Sequence, residues 1–318
     1  MNTGILIGIA TYILWGLLPI FWRAIHQVPA IEILGHRMVW SLLFVIAILT
    51  LRKDWGWLKP ALRQPRTLGT YVLAAALLSV NWFTYIWGVN AGFIVETSLG
   101  YFINPLVNVL LGYVFLKERL RPLQWGALAV ALAGVLYLTF SYGAFPWIAL
   151  TLAFSFGLYG LIRKTAALNS AEGLFVETAV LFLPALGFLL FHELRGTGAL
   201  GHVDGLTTLL LIGAGAATSI PLILFAAGAR RVTLTTLGLL QYIAPTMQFL
   251  IGVLIYGGVG VAGLLLGGHY LDYFVLDPNP VHGQHRGIFW VEVGVAVTVS
   301  GVMLKIFYMF ASRGRDPE

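Results

Sequence analysis

The sequence predicts an all-α polytopic membrane protein of about ten transmembrane helices, arranged as two inverted five-helix repeats. Three observations support this prediction: an apolar composition, a succession of long apolar segments, and an internal similarity at a spacing of 140 residues. Of 318 residues, 59% are apolar and 10% are charged, and the mean hydropathy is +0.87. Soluble domains carry about a quarter charged residues, and disordered chains are polar and charged, so the composition excludes both classes.

Cysteine content and charge exclude further classes of protein. The chain has no cysteine, which excludes disulfides, thiolate metal sites, iron–sulfur clusters and cysteine nucleophiles. The net charge of +6 is distributed over short links, which indicates membrane topology rather than nucleic-acid binding. The 37 glycines suit helices that pack closely in lipid, where small residues let backbones approach.

Ten apolar segments follow one another along the chain, and most approach the roughly 20 residues that a spanning helix needs. The first segment has no lysine or arginine before it, so we interpret it as a retained helix rather than a cleaved signal peptide. The predicted spans are 4–22, 31–51, 69–90, 94–116, 123–140, 145–162, 173–191, 207–228, 232–256 and 288–311.

Basic residues set the predicted orientation. We number the links between spans in order along the chain. The only lysine or arginine residues in the odd-numbered links are Arg23, Arg195 and Arg286. Because Lys and Arg accumulate in cytoplasmic loops, the even-numbered links and the N-terminus are expected in the cytoplasm, and ten spans return the C-terminus to the same side. The even-numbered links contain Arg52, Lys53, Lys59, Arg63, Arg66, Lys117, Arg119, Arg121, Arg163, Lys164, Arg230 and Arg231.

A weak internal repeat divides the chain. A shift of 140 residues lays 79–116 on 219–256, so that Pro105 meets Pro245 and each proline is followed by glycine seven residues later. Halves with five spans each have opposite topology, which is a transporter signature; the alternative is that any two leucine-rich spans align this well. The predicted units are a first five-helix repeat over 1–140, a second repeat of four helices over 141–257, and an atypical segment over 258–318 with an external loop and a final transmembrane helix.

Ionisable side chains inside the spans are candidates for coupling, because each is costly in lipid. Glu32 and His36 are four residues apart, share a helix face, and lie with Arg37 near the outer end of the second span. The alternative for these residues is an interfacial network that anchors the helix. Glu96 opens the fourth span, where a carboxylate can instead complement the helix dipole. Glu177, inside the seventh span, can pair with a neighbouring helix or reach water.

Polar and aromatic groups mark a candidate cavity. The fourth span carries Tyr101 and Asn104 beside its proline, and the ninth carries Gln241 and Tyr242. Proline frees a backbone carbonyl, which in lipid must be satisfied by protein or by cavity water, so these helices are expected to flank a central cavity or to be kinked against neighbours. In the third span, Asn81, Trp82 and Tyr85 form a stripe that suits a flat or amphiphilic solute, or simple packing.

No sequence motif indicates catalysis. The P-loop, zincin and nucleophile-elbow patterns are absent from the sequence, so neither an enzyme nor a cofactor is expected. His269, His282 and His285 lie near Asp272 and Asp277 in the last link, where imidazole and carboxylate groups could hold a divalent metal. A polar external loop explains the same residues, so no metal site is predicted.

Several of these motifs resemble the RarD branch of the EamA group, within the drug/metabolite transporter superfamily. The resemblance implies ten helices from two inverted repeats, a central substrate cavity and a bacterial inner membrane; relatives are labelled chloramphenicol-sensitive or chloramphenicol-resistance permeases, which names a phenotype. The motifs extend over residues 1 to about 257 and comprise Trp15-Gly16 with Pro19, His36-Arg37 with Trp40-Ser41, Asn81-Trp82, Tyr85-Ile86-Trp87, the run from Glu96 to Leu106, Leu158-Tyr159-Gly160-Leu161 with Arg163-Lys164, and the run from Leu240 to Thr246.

The residues and the resemblance together identify two sets of candidate site residues. The expected partners are a small-molecule substrate and the lipid bilayer, without nucleic acid; protons as the coupling ion and a homodimer are left open. The candidates for coupling are Glu32, His36, Arg37 and Glu96. The candidates for substrate binding are Trp15, Asn81, Trp82, Tyr85, Tyr101, Asn104, Pro105, Tyr159, Gln241, Tyr242 and Pro245.

The chain departs from that family after Gly257. The segment 259–268 is too short to span a bilayer, and the last residues, about 60, resemble the end of an MnhB-type subunit of sodium/proton antiporters. The sequence therefore predicts a secondary transporter that exports small amphiphilic compounds or metabolites. The alternative is a non-transporting subunit of a multi-subunit membrane antiporter complex.

Overall fold

Ten α-helices occur in the part of the chain that this computed structural model describes, namely residues 3–120, 122–142, 145–248 and 250–251 with the short pieces 265–267, 278–279 and 282–283. No β-strand occurs among these residues. The helices are α1 (Thr3–Ala24), α2 (Ala30–Leu51), α3 (Leu58–Leu62), α4 (Pro65–Asn90), α5 (Ile94–Leu116), α6 (Pro122–Tyr142), α7 (Trp147–Thr165), α8 (Ser170–Leu194), α9 (Gly205–Ala229) and α10 (Leu234–Gln241).

Eight predicted spans coincide with helices α1, α2 and α4 to α9. Within the described residues, six helices are long and apolar enough to cross a membrane: α1, α2, α4, α8, α9 and the part Glu96–Leu116 of α5. The prediction of an all-helical, multi-pass membrane chain is thus confirmed, whereas ten spans in inverted repeats stay a prediction. The tenth predicted span, 288–311, lies outside the described residues. The short helix α3 lies within the predicted cytoplasmic link 52–68.

The ninth predicted span, 232–256, is interrupted before Pro245. Helix α10 ends at Gln241, and helical backbone resumes over 243–248. Proline has no N–H to donate to the carbonyl four residues earlier, which here belongs to Gln241. Helix α5 contains Pro105 at the corresponding position yet continues without a break, so the same motif has different consequences in the two halves.

Helices of the first half pack chiefly on helices of the second half. Helix α2 lies against α8 and α9, α1 against α9, α4 against α7, and α5 against α7 and α10. The buried core between them includes Tyr12, Leu78, Ile103 and Phe225. Because the two halves share one core, any cavity at their interface is lined by residues of both halves.

Helices α2 and α9 approach closely at Gly215. A Cβ atom at this position would lie 2.3 Å from the backbone carbonyl carbon of Trp40, so only glycine fits without a shift of one helix. Ser41 donates a hydrogen bond from Oγ to the carbonyl oxygen of Gly215 at 3.3 Å. Small residues allow such close contacts between membrane helices. This approach brings Arg37, one turn before Ser41, against Thr218, one turn after Gly215.

Side-chain caps hold the starts of α8 and α9. Asn169 and Glu172 form a reciprocal capping box at the start of α8. Asp204 caps α9, accepting hydrogen bonds from the Thr207 backbone N–H at 2.9 Å and from its hydroxyl at 2.6 Å. The same hydroxyl accepts a hydrogen bond from Gln27 Nε2, which ties the link between α1 and α2 to the start of α9.

Candidate functional site

A cavity of about 320 Å³ lies between the two halves of the helical bundle. Its walls come from α1, α2, α4 and α5 of the first half, and from α7, α9 and the region 241–248 of the second. Small-molecule sites occupy about 300–1,000 Å³, so the cavity suits a small organic solute.

The structure brings eight of the eleven candidate substrate-binding residues into the wall of this cavity, together with Arg37 from the coupling set. The other three lie elsewhere: Pro105 and Tyr242 border a small apolar crevice beside α6, and Tyr159 is buried in the core. The eight residues in the wall are Trp15, Asn81, Trp82, Tyr85, Tyr101, Asn104, Gln241 and Pro245.

The guanidinium group of Arg37 lies between two tryptophan rings. Its Cζ atom is 4.7 Å from the ring centroid of Trp22 in α1 and 4.5 Å from that of Trp82 in α4. Its Nε–H group donates a hydrogen bond to Thr218 Oγ1 in α9 at 3.0 Å. Each cation–π contact stabilises by about 0.5–2 kcal/mol, increasing with desolvation. Three helices therefore hold the guanidinium group of a fourth in one place.

Arg37 gives the cavity a positive charge that no carboxylate of the described residues neutralises. The ion pairs among the described residues join other side chains, and every other described residue of the cavity wall is neutral. An arginine at the centre of a spanning helix costs about 2.5–3.5 kcal/mol and is usually paired. Arg37, in the first half of α2, has no such partner among the described residues.

Buried amide side chains link α4 and α5 to α7, and α5 to α10, beside the cavity. Asn81 and Asn104 donate from Nδ2 to backbone carbonyls of α7 at 2.8 and 3.1 Å. Asn108 donates to Asn104 Oδ1 at 2.9 Å and to Gln241 Oε1 at 3.2 Å. These bonds orient Asn81, Asn104 and Gln241, which form a fixed polar part of the wall.

Aromatic rings form a large part of the remaining wall. Tyr85 and Tyr101 meet edge to face, with ring centroids 5.7 Å apart and planes at 70°. Trp15 packs at 5.6 Å on Phe156 of α7 and at 5.5 Å on Phe225 of α9. The cavity therefore combines flat apolar surfaces, oriented amides and one cation.

Glu32 and His36 lie outside the cavity wall, and Glu32 contacts the link between α8 and α9. Both residues are 3% exposed. Glu32 Oε1 accepts a hydrogen bond from the backbone N–H of Ala199 at 2.6 Å. His36 Nε2 is 3.8 Å from the same oxygen, which is too long for a hydrogen bond. The contact of Glu32 thus holds this link against α2.

Glu96 is close in sequence to residues of the cavity wall but does not line the cavity. It is 7% exposed and occupies the first turn of α5, where its charge complements the helix dipole. The cavity wall begins two residues later, at Ser98. Of the carboxylates considered for coupling, Glu96 is therefore on the helix that contributes most directly to the wall.

A buried ion pair that sequence reasoning missed connects α7 and α8. Arg163 Nη1 lies 3.1 Å from Glu177 Oε1, and both side chains are at most 2% exposed. Arg163 also donates to the Ser170 carbonyl at 2.6 Å, and Tyr159 donates to Glu177 Oε2 at 3.2 Å. The sequence places Arg163 in a cytoplasmic link. In the structure α7 continues to Thr165, so Arg163 belongs to this helix and is buried within the protein. The signal for the pair was the carboxylate within the seventh span, which requires a partner.

The structure identifies no metal centre among the residues it describes, where no cluster of three or more His, Cys, Asp or Glu side chains occurs. His282 belongs to one of the short described pieces and is exposed. His269, Asp272, Asp277 and His285 lie outside the described residues, so the last link adds no candidate here.

Comparison with known families assigns two regions of the chain. The EamA-like transporter family matches residues 2–140. A domain related to the MnhB subunit of the Na⁺/H⁺ antiporter matches residues 212–305. Both resemblances expected from the sequence are thereby confirmed.

Individual relatives cover most of the chain. It is 51% identical over 256 residues to "Protein RarD" of Streptomyces exfoliatus, which covers 80% of this chain and 81% of that protein. It is 47% identical over 262 residues to "Uncharacterized transporter YojE" of Bacillus subtilis (80% and 85%), and 42% identical over 254 residues to "Protein RarD" of Escherichia coli (80% and 86%).

A solved crystal structure shares the fold. It superposes with a TM-score of 0.60 and 21% sequence identity, over 95% of this chain and 99% of that one. With identities of 42–51% over four fifths of its length, the chain belongs to the EamA-like transporter family, in its RarD branch, and is a membrane permease.

Proposed function

We propose that the chain is a secondary transporter that exports small amphiphilic compounds or metabolites by alternating access. The cavity between the halves is the observation that supports this function. In alternating access the halves rock around a shared central site, and here both halves supply the wall, including Trp82 and Tyr101 from the first and Phe156 and Gln241 from the second. Because one chain lines the cavity, the proposed transport needs no second copy.

Helix positions support an arrangement as two inverted repeats, with a first repeat of five helices over 1–140, a second repeat of four helices over 141–257 and the atypical segment over 258–318. The starts of α2 and α8, of α4 and α9, and of α5 and α10 are each separated by 140 residues. If α1 corresponds to α7 in the same way, the contact of α1 with α9 in one repeat should have a counterpart in the contact of α7 with α4. Likewise, the contact of α2 with α9 should have a counterpart in the contact of α8 with α4. All four contacts occur.

The proposed location is a bacterial inner membrane, with both termini in the cytoplasm. The distribution of Lys and Arg supports this orientation, and the relatives are bacterial. In this orientation, Trp22 at the end of α1, Arg37 near the start of α2 and Tyr85 near the end of α4 lie toward the outer side. The cavity would then lie in the outer half of the membrane, with Asn108 on its cytoplasmic side.

Protons are the proposed coupling ion, and Glu96 is the proposed coupling group. A carboxylate that takes up a proton loses its charge, which changes the cost of burying it. Glu96 is buried in a helix that forms the cavity wall, whereas Glu32 lies outside that wall, against the link between α8 and α9. The geometry therefore favours Glu96 over Glu32 as the group that couples to solute movement.

Efflux from proteoliposomes tests the proposed transport. The purified full-length chain would be reconstituted with chloramphenicol, because one relative that is 32% identical is named "Chloramphenicol-sensitive protein RarD", and with aromatic metabolites. We expect saturable efflux. Replacement Tyr101→Ala removes a ring from the wall and should reduce it about tenfold, equivalent to about 1.4 kcal/mol. Tyr137→Ala, at a 73% exposed tyrosine of α6, should leave it unchanged. Absence of saturable flux for every solute would reject the proposal.

A non-transporting subunit of a multi-subunit antiporter complex is the second candidate function. The match of residues 212–305 to an MnhB-related domain favours it. Purification of the full-length chain from its own membrane under mild detergent would then recover stoichiometric polytopic partners. Solute flux by the purified chain alone would count against this candidate.

A further inference from the structure

The Nη groups of Arg37 have no partner in the described part of the chain. Of the five N–H donors of a guanidinium group, the one on Nε is taken by Thr218. The two Nη groups make no hydrogen bond to a described residue, and they do not belong to the buried unpaired atoms. Since Arg37 lines the cavity, four N–H donors remain accessible to a solute there.

The surroundings hold this cation in place without neutralising it. Trp22 and Trp82 contact it through their ring faces, which leaves the N–H donors of its two Nη groups free. The other described side chains of the wall are apolar, aromatic, hydroxyl or amide groups. A positive potential in a cavity with low-dielectric walls concentrates solutes of the opposite charge.

We propose that the cavity selects aromatic carboxylates. Arg37 binds the carboxylate through both Nη groups, and the aromatic body packs on the rings of Tyr85, Tyr101 and Phe156. This inference rests on the proposed function and specifies its substrate class. The planar fork of a guanidinium group matches the two oxygens of a carboxylate, which lysine at this position cannot reproduce.

The sign of the charge determines the selection. A cationic solute of the same shape meets a like charge in a low-dielectric space, and a neutral amide can accept a hydrogen bond but carries no charge. Three probes with one ring system separate these cases: indole-3-acetate, indole-3-acetamide and tryptamine. They share the aromatic surface and differ in the charge of the side group.

Binding of these three probes to the purified full-length chain tests the inference. Isothermal titration should give an affinity for indole-3-acetate at least about tenfold higher than for the amide, which corresponds to about 1.4 kcal/mol, and weaker binding still for tryptamine. Arg37→Gln should remove the preference for the carboxylate while keeping the affinity for the amide. Arg37→Lys, which retains charge without the fork, should give an intermediate preference.

A matched control replaces an arginine outside the cavity. Arg195 is exposed at the start of the link between α8 and α9, over the ring of Phe191. Arg195→Gln should keep the full preference for the carboxylate probe. Thermal unfolding shows whether each variant is folded. If Arg37→Gln does not fold, the inference is tested by the ranking of the three probes in the wild type and by Arg37→Lys.

Flux of the same probes separates failure of the inference from failure of the proposed function. If the amide or the amine binds as tightly as the carboxylate, or if Arg37→Lys and Arg37→Gln keep the wild-type preference, the inference is wrong. Saturable flux of any probe in proteoliposomes would still support the transporter in that case. If no probe of any charge binds or moves, the proposed transport of aromatic solutes and the inference both fail.

Discussion

The carboxylate of Glu118 accepts a hydrogen bond from the backbone N–H of Leu234, the first residue of α10, at 2.7 Å. Its second oxygen accepts hydrogen bonds from the Thr235 backbone N–H at 3.0 Å and hydroxyl at 2.8 Å. Lys117 ends α5 in a left-handed conformation, with φ at 53°, and turns the chain so that the next residue reaches α10. A charge from the first half thus caps a helix of the second, where it complements the helix dipole.

Loss of this cap should destabilise the protein. We expect Glu118→Ala to lower the free energy of unfolding by about 1–3 kcal/mol, because it removes charge-assisted bonds to backbone donors, and Glu118→Gln to lower it less. Thermal unfolding in detergent measures both. The control is Glu193→Ala, whose exposed pair with His202 should contribute no more than about 1 kcal/mol. Equal effects of the two alanine substitutions would contradict this role.

Gly215→Ala should separate α2 from α9. The new Cβ atom would lie 2.3 Å from a backbone atom of Trp40, which cannot move away without shifting α2, so we expect a loss of about 1–3 kcal/mol. Gly213→Ala is the matched control in the same helix, since its Cβ atom would meet only Phe21 Cζ at 3.9 Å. That variant should be neutral or slightly stabilised, because alanine favours helix. Unfolding temperatures that fall equally would contradict the close approach.

Truncation of Glu177 should leave a buried charge without its partner. Glu177→Ala strands Arg163 at 2% exposure, and breaking such a pair costs about 3–5 kcal/mol. The double variant Arg163→Met with Glu177→Leu should recover most of this loss, because it buries no charge. Unfolding of both variants in detergent tests the argument, and a double variant as unstable as the single one would show that the hydrogen bonds of Arg163 matter more than its charge.

Acid should weaken the start of α9. Hydrogen bonds from the side chain and backbone of Thr207 hold the pKa of Asp204 below its ordinary value. A lowered pKa in the folded state means that the stabilisation is complete above the ordinary aspartate pKa of about 3.9 and is lost as the pH falls through the lower, folded-state pKa. The unfolding temperature should therefore fall over this range, and Asp204→Asn should remove that part of the pH dependence. A variant with the wild-type pH profile would exclude Asp204 as the cause.

Coupling should depend on the carboxylate of Glu96. Glu96→Gln keeps the shape of the side chain but cannot take up a proton, so we expect solute flux driven by a pH gradient to be lost while exchange of solute without a gradient continues. Glu32→Gln should keep gradient-driven flux and lower the unfolding temperature, because an amide oxygen is a weaker acceptor for the Ala199 N–H group. Gradient-driven flux that survives in Glu96→Gln would place coupling elsewhere.

Local sequence was sufficient to locate the helices. The predicted spans 31–51 and 94–116 coincide with α2 and α5 to within one residue. In lipid every backbone polar group must be satisfied within the chain, so an apolar segment of sufficient length has almost no alternative to a helix. The same reasoning identified Pro105 and Pro245 as corresponding positions, but it could not show that only the second interrupts its helix.

The face of each helix that meets a given neighbour was decided by the tertiary structure alone. The sequence grouped Arg37 with Glu32 and His36, yet Arg37 lines the cavity, whereas Glu32 and His36 lie outside its wall and Glu32 contacts the link between α8 and α9. Residues 32 and 36 share one face of α2, and residue 37 lies about 100° further round, so each face meets a different helix. Which helix it meets depends on close packing between distant segments, as Gly215 permits, and no pattern within a single span contains that information.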